Sequence, residues 1–221
     1  MTRAKPTQEA LEAIAALCDG RWDFFYTRSK LGSDPVYSAV VREITGTTLP
    51  LLDIGCGIGL LAHYVHACGH EMAVTGFDYD QRKIASAQAM AAKAGHPHLD
   101  FTSGDARTGL PDFSGHVVIL DILQFFTEAE QDALLTASAA RVAAGGKLII
   151  RSGLRDDSWR FRITVLGDYL AKYTFWMKAA PTCYPDAAQF QRVLGAAGLK
   201  VRIEPMWGGT PFNNYLIVGE R

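Results

Sequence analysis

Cysteine is scarce: Cys18, Cys56, Cys68 and Cys183 are scattered through 221 residues without a C-x-x-C pair. Such spacing offers neither a disulfide framework nor a zinc-ribbon ligand set, and it reads as four reduced thiols of a cytoplasmic protein. A charge excess is also missing. Lys and Arg number 22 against 23 Asp and Glu, for a formal charge of −1 and a pI near 6.6. No global field therefore draws the chain to nucleic acid or to an anionic membrane. No apolar run approaches the ~18–20 residues that span a bilayer. The opening MTRAKPTQEA is polar and has no secretory h-region. The expectation is a cytoplasmic location, with no nucleic-acid partner and no integral membrane contact. Repeats, low-complexity tracts and interdomain linkers are missing as well, which predicts a single domain over residues 1–221.

What is there alternates. Residues 7–19 read as a helix capped by Thr7, and Asp34-Pro35 opens another that runs to about Ile44. LPLLDI, EMAVTGFD, HLDFTSGDA, HVVILD and GGKLIIRSG then read as five strands, separated by helical segments. Thr127 and Glu130 stand at capping-box spacing, and Gly95 closes the helix that Asp80 opens. Alternating strands and helices predict βαβ units and a parallel sheet covered on both faces. The last third holds an aromatic helical segment near residues 158–180, another helix, and two closing strands that should pair antiparallel across GGTPF.

The stretch LLDIGCGIGLLAHYV, residues 51–65, places Gly55, Gly57 and Gly59 at alternate positions where a strand should turn into a helix. Gly57, Gly59 and Ala62 satisfy G-x-G-x-x-(G/A), a pattern of dinucleotide sites that a ligand-free tight turn also satisfies. In an open parallel sheet, ligands bind beyond the carboxyl ends of the strands. Asp53, Asp78 and Asp105 stand at three successive strand ends, as one nucleoside site requires. Asp78 lies about 20 residues past the glycines, at the distance of a ribose-binding carboxylate. Asp53 disfavours a nicotinamide dinucleotide, because a carboxylate beside a pyrophosphate is repelled.

D-I-G-C-G-I-G after an apolar strand, F-D ending the next and S-G-D-A before the fourth resemble the class I S-adenosylmethionine-dependent methyltransferases of small-molecule type, over roughly residues 49–152. The resemblance implies a three-layer, doubly wound α/β fold. Its seven-stranded sheet would run 3-2-1-4-5-7-6, with strand 7 antiparallel, N-terminal helices and a helical insertion after strand 5. Residues 1–46 would be a helical cap, 49–152 the cofactor core, 153–197 the substrate-cover helices and 198–221 the closing strands. S-adenosyl-L-methionine is the implied cofactor. Gly55, Cys56, Gly57 and Gly59 would lie against its methionine and ribose portions. Asp53 would orient its amino group, Asp78 would bind the ribose hydroxyls, and Asp105 with Ala106 would face the adenine. Tyr79 would pack on the adenine ring or sit at the surface. Asp121 and Ile122 would line the same site.

Catalytic candidates cluster in LDILQFF, residues 120–126. Nitrogen methyltransferases acting on nucleic acids or protein amides often carry (N/D)PP(Y/F) there, whereas this chain has Asp121-Ile122-Leu123-Gln124. That resembles the D-x-L-H segment of small-molecule enzymes, with Gln124 in place of histidine. Gln124 donates and accepts hydrogen bonds but is no base. Tyr26, in the aromatic-basic stretch 22–37, joins Gln124 and Asp121 as a catalytic candidate; the stretch reads as a lid or as a helix packing its aromatics on the sheet. His63 and His66 share a helix face without a third ligand at matching spacing, so no metal is expected.

Substrate candidates are Lys30 and Tyr37 near the N-terminus, and Arg151, Arg155, Arg160, Tyr169 and Tyr173 after strand five. Four arginines, Arg162 included, form either a solvated face or a receiver for a carboxylate or an acyl carrier protein's phosphopantetheine arm. K-L-x-x-D-P-x-Y, Lys30 to Tyr37, and the arginine-rich segment resemble methyltransferases of bacterial aromatic-polyene pigment biosynthesis. The expected reaction is methyl transfer to an oxygen or carbon of a small aromatic or polyketide-like acceptor, free or carrier-bound. The alternatives are a methyltransferase of protein or RNA and a non-catalytic cofactor-binding protein.

Overall fold

The structure is a computed structural model that describes residues 2–173 and 181–221, with the side chains of 169–173 outside the description. Two compact units divide the chain, residues 1–118 and residues 119–221. Their strands form one seven-stranded sheet, ordered β3-β2-β1-β4-β5-β7-β6 as the motifs led one to expect.

The first unit opens with α1 (Gln8–Ala16), α2 (Arg21–Ser33) and α3 (Val36–Ile44). Thr7 caps α1 by accepting from the Ala10 N–H at 3.2 Å, and Asp34 accepts from the Val36 N–H at 3.0 Å where α3 begins. The aromatic stretch expected as a lid or as sheet packing forms α2, which packs on α1 and α4. Thr27 and Leu31 turn inward, while Trp22 and Phe25 are 69% and 52% exposed. The 3.6-residue repeat sets those two aromatics on the side away from Thr27 and Leu31.

Three parallel strands follow: β1 (Leu51–Ile54), β2 (Val74–Asp78) and β3 (Leu99–Ser103), with α4 (Leu60–Ala67) and α5 (Gln81–Ala94) as crossovers. Register places Asp53 beside Gly76, and Gly76 beside Phe101. Phe101 explains two glycines. A β-carbon on Gly59 would meet its ring at 2.6 Å, and one on Gly76 would meet both that ring and the Cys56 sulfur at 2.8 Å. β4 (His116–Leu120) starts in this unit, where the His116 N–H bonds the Pro50 carbonyl at 2.8 Å.

In the second unit a short 3-10 turn, Leu123–Phe125, precedes α6 (Glu128–Ala140). The capping box forms as spaced: Glu130 accepts from the Thr127 N–H at 2.7 Å, and Thr127 accepts from the Glu130 N–H. β5 (Lys147–Gly153), α7 (Trp159–Tyr173), α8 (Ala187–Ala196), β6 (Lys200–Pro205) and β7 (Asn214–Glu220) complete it. β7 runs antiparallel between β5 and β6, so Glu220 stands opposite both Lys147 and Lys200. Among the described residues no helix is long and apolar enough to cross a membrane.

Substituting Gly76→Ala forces Phe101 and Cys56 out of their packing and should lower stability by about 1–3 kcal/mol, as overpacking of a close-packed core does. Urea unfolding measures this, and an unchanged midpoint would mean that the ring and the thiol have room to yield.

Candidate functional site

The first unit assembles its carboxylates on the glycine turn. Gly55 takes φ 81°, Gly57 φ 57° and Gly59 φ 81°, backbone that disfavours every residue with a β-carbon. The Gly55 N–H bonds the Phe77 carbonyl at 2.7 Å, and the Gly59 N–H bonds that of Cys56 at 3.0 Å. Asp78, 6% exposed, accepts the Gly57 N–H on one oxygen at 2.9 Å and the Asp80 N–H on the other at 2.8 Å. Asp78 thus ties the turn to the end of β2. The glycines have different tasks. Gly59 makes room for Phe101, whereas a methyl group on Gly57 would meet nothing within 4 Å, leaving space for a ligand against the backbone.

Asp53 is 3% exposed at the end of β1. Burial, with the Asp78 carboxylate adding to it, raises its pKa to about 7. A buried carboxylate in that state favours a cationic partner, and the ammonium of S-adenosylmethionine's methionine arm is of that chemistry. The residues therefore fit this cofactor. Cys56 is buried beside the turn, and burial pushes its thiol far above the usual range. Asp105 lies just past β3 and accepts the Arg107 N–H at 2.9 Å, with Ala106 half-buried next to it. Tyr79 is 60% exposed.

The remaining N-terminal candidates lie elsewhere in this unit. Tyr26 is half-buried on α2, and Lys30 pairs with Asp34 at 2.7 Å. Tyr37 is a core residue of α3, its ring 5.4 Å from that of Tyr64. His63 is 2% exposed, and burial with His96 and His66 nearby lowers its pKa to about 4.

In the second unit the turn after β4 centres on Asp121. Its φ of 58° makes it the positive-φ residue other than glycine among those described. Holding such a backbone costs about 1–3 kcal/mol and needs surroundings that enforce it. Arg151, buried on β5, supplies them with a two-pronged ion pair: its Nε donates to Asp121 Oδ1 at 2.8 Å and its other nitrogen reaches Oδ2. The Asp121 N–H also bonds the Arg151 carbonyl at 3.0 Å. Ile122 leads into the 3-10 turn, and Gln124, 8% exposed, donates to the Asp121 carbonyl at 3.0 Å.

The arginines after strand five go to separate partners. Arg151 holds Asp121, and Arg155 pairs with Asp186 at 2.9 Å. Arg160 lies 4.8 Å and 4.6 Å from the Trp159 and Trp207 ring centres and donates to the Thr210 carbonyl at 2.7 Å. Arg162 is exposed. The side chains of Tyr169 and Tyr173 lie outside the described residues. Sequence reading missed the pair formed by Tyr184 and Asp168, whose side chains meet at 2.7 Å across 16 residues. Nothing in their spacing announces it.

Seven strands in this order, the last antiparallel, define the class I methyltransferase fold. Residues 51–146 match the family model described as a methyltransferase domain. That stretch is thus similar to a methyltransferase domain, and the sheet order is that of the class I methyltransferase fold. Among solved structures, magnesium protoporphyrin IX methyltransferase from Synechocystis PCC 6803 with bound S-adenosylhomocysteine is 19% identical, at a TM-score of 0.67, over 96% of this chain and 93% of that one. The pyocyanin biosynthetic protein PhzM is 18% identical, at 0.67, over 96% of this chain and 61% of that one. Mitomycin 7-O-methyltransferase is 18% identical, at 0.65, over 90% and 57%. No curated protein matches the chain.

Asp53 sets a pH test. Its folded pKa near 7 lies above the usual 3.8, so between those values the folded chain binds a proton that the unfolded chain has lost. This contribution to ligand-free stability is fully present below about pH 4, falls as pH rises to about 7 and is flat beyond. Asp53→Asn should therefore raise ligand-free stability at about pH 8 while weakening S-adenosylhomocysteine. With the native residue, that ligand should weaken as pH drops below about 7, whereas 5′-methylthioadenosine, lacking the amino-acid arm, should not. Calorimetric titration across this range checks both, and parallel pH profiles for the two ligands would refute the pairing.

Proposed function

We propose that the chain transfers a methyl group from S-adenosylmethionine to an oxygen or carbon of a small aromatic or polyketide-like acceptor. The cofactor supplies an electrophilic methyl on a sulfonium. The chain's own contribution is to position and desolvate the acceptor atom. The observation that carries the reading is the turn after β4. It is built from Asp121 in left-handed backbone, clamped by Arg151 and Gln124, in place of an (N/D)PP(Y/F) turn suited to flat amide or exocyclic amine nitrogens. Solved relatives of this fold include enzymes named for magnesium protoporphyrin IX and for the 7-oxygen of mitomycin, which supports a small acceptor.

An acceptor that enters free is favoured over one presented by an acyl carrier protein. Arg151 and Arg155 are each matched by a carboxylate, and Arg160 is held between two indoles, so those three cations answer to partners within the chain. Action on protein or RNA is the second reading, and the near-neutral charge of −1 counts against an RNA partner.

The test is radiolabelled methyl transfer from S-adenosylmethionine into fractionated bacterial extract. Label should appear in the solvent-extractable small-molecule fraction, at a rate that Asp78→Ala lowers by weakening cofactor binding by about 1–3 kcal/mol. Label confined to acid-precipitable protein or RNA would replace this reading with the second one.

A further inference from the structure

The first unit carries a set of histidines that the glycine turn and its carboxylates do not use. His63 and His66 lie one turn apart on α4, and His96 lies on the connection that follows α5. The His66 and His96 rings meet edge-on with 4.8 Å between centres, and the His63 ring is 6.3 Å from that of His96. His66 is anchored, its Nε2 donating to the Met72 carbonyl at 3.0 Å. His63 is 2% exposed, and its Nε2 is buried without a hydrogen-bond partner. A charge on a ring so placed is costly. Among the described residues no three His, Cys, Asp or Glu side chains are placed to hold a metal ion, which leaves protonation as the chemistry of these rings.

The surroundings resist that protonation. Burial above all, with His96 and His66 adding to it, lowers the His63 pKa to about 4. Burial also lowers that of His66, as do His96 and His98, against the Met72 carbonyl and Glu71. His70, on the way to β2, is buried and lowered for the same reason. α1, α2 and α3 pack on the helix as well, and Arg42 of α3 bears on the neighbouring Tyr64. Arg3 adds a cation near the far end of α4, where its N–H bonds the Cys68 carbonyl at 2.8 Å. The Tyr64 hydroxyl and the Cys68 thiol, raised by burial to about 12 and about 11, stay uncharged wherever the histidines titrate.

We propose that His63, His66 and His96 form an acid-sensitive latch: uncharged, the rings pack together and hold the connection after α5 on α4; protonated, they repel one another and release it. The latch belongs to the first unit alone and is independent of which acceptor the chain methylates. His63 takes its proton near pH 4 when folded and near 6.5 when released, so between those values the released form binds more protons. The hold is therefore fully present above about pH 6.5 and is lost as pH falls toward 4. The Val74 N–H reports it, because it bonds the carbonyl of His98 on the same connection at 2.9 Å.

The test is hydrogen exchange of the Val74 amide in the full chain, corrected for intrinsic exchange, together with the ring-proton titration of His63. Between pH 7 and pH 5 the wild type should lose roughly twentyfold more protection at Val74 than His63→Gln, whose amide side chain takes no proton. Asp53 titrates in both proteins, so the difference isolates the histidine. His96→Gln should raise the pH at which the His63 ring titrates, because it removes a positive neighbour. Packing alone gives no reason for that shift. Equal loss of protection in the wild type and His63→Gln overturns the latch. So does a wild-type His63 that titrates at 6.5 or above, or a midpoint that His96→Gln leaves in place. Should His63→Gln fail to fold, the two ring titrations decide the matter.

Discussion

Two carboxylates at the ends of neighbouring strands organise the first unit. Asp53 and Asp78 are 3% and 6% exposed, close enough that Asp78 adds to the rise in the Asp53 pKa. Burying like charges together is unfavourable unless something compensates. For Asp78 the compensation is internal: the N–H groups of Gly57 and Asp80 converge on its two oxygens. For Asp53 it is a proton or a cation. A ligand that brings positive charge would supply that compensation, and a β-carbon on Gly57 would meet open space.

The second unit solves a similar problem differently. Asp121 stands in backbone that costs energy, and a buried guanidinium from the adjacent strand secures it. Strain is tolerated where surroundings over-determine it, and such places cluster at working sites. Gln124 and Gln131 reinforce the same turn. Gln124 ties back to Asp121, and Gln131 donates to the carbonyls of Leu123 and Cys183. The loop before α8 is thus stitched to the turn after β4, which brings Tyr184 into range of Asp168.

Much of the fold is legible in the residues because its signals are local. Buried strands bounded by glycine and aspartate, the Thr127–Glu130 capping box and the GGTPF separator each act over a few positions, and the strand order follows the recognised motif set. α2 shows the limit. Its aromatic richness suggests a lid or a core face, yet Trp22 and Phe25 point outward because the angular position of a side chain on a helix, not its hydrophobicity, selects what it meets.

The sequence by itself determined the alternating architecture, the left-handed glycine turn and the acidic residues that follow the strands, since each depends on backbone preference and short-range spacing. Only the tertiary structure decided which glycine serves packing and which leaves room, because that distinction rests on Phe101, which reaches Gly59 from 42 residues away in the chain. Only it decided that the arginines after strand five answer to separate partners and that Asp168 meets Tyr184. Charges close in sequence disperse when a strand, a loop and a helix aim them differently, and groups far apart converge where the chain folds back. Neither outcome is written in local spacing.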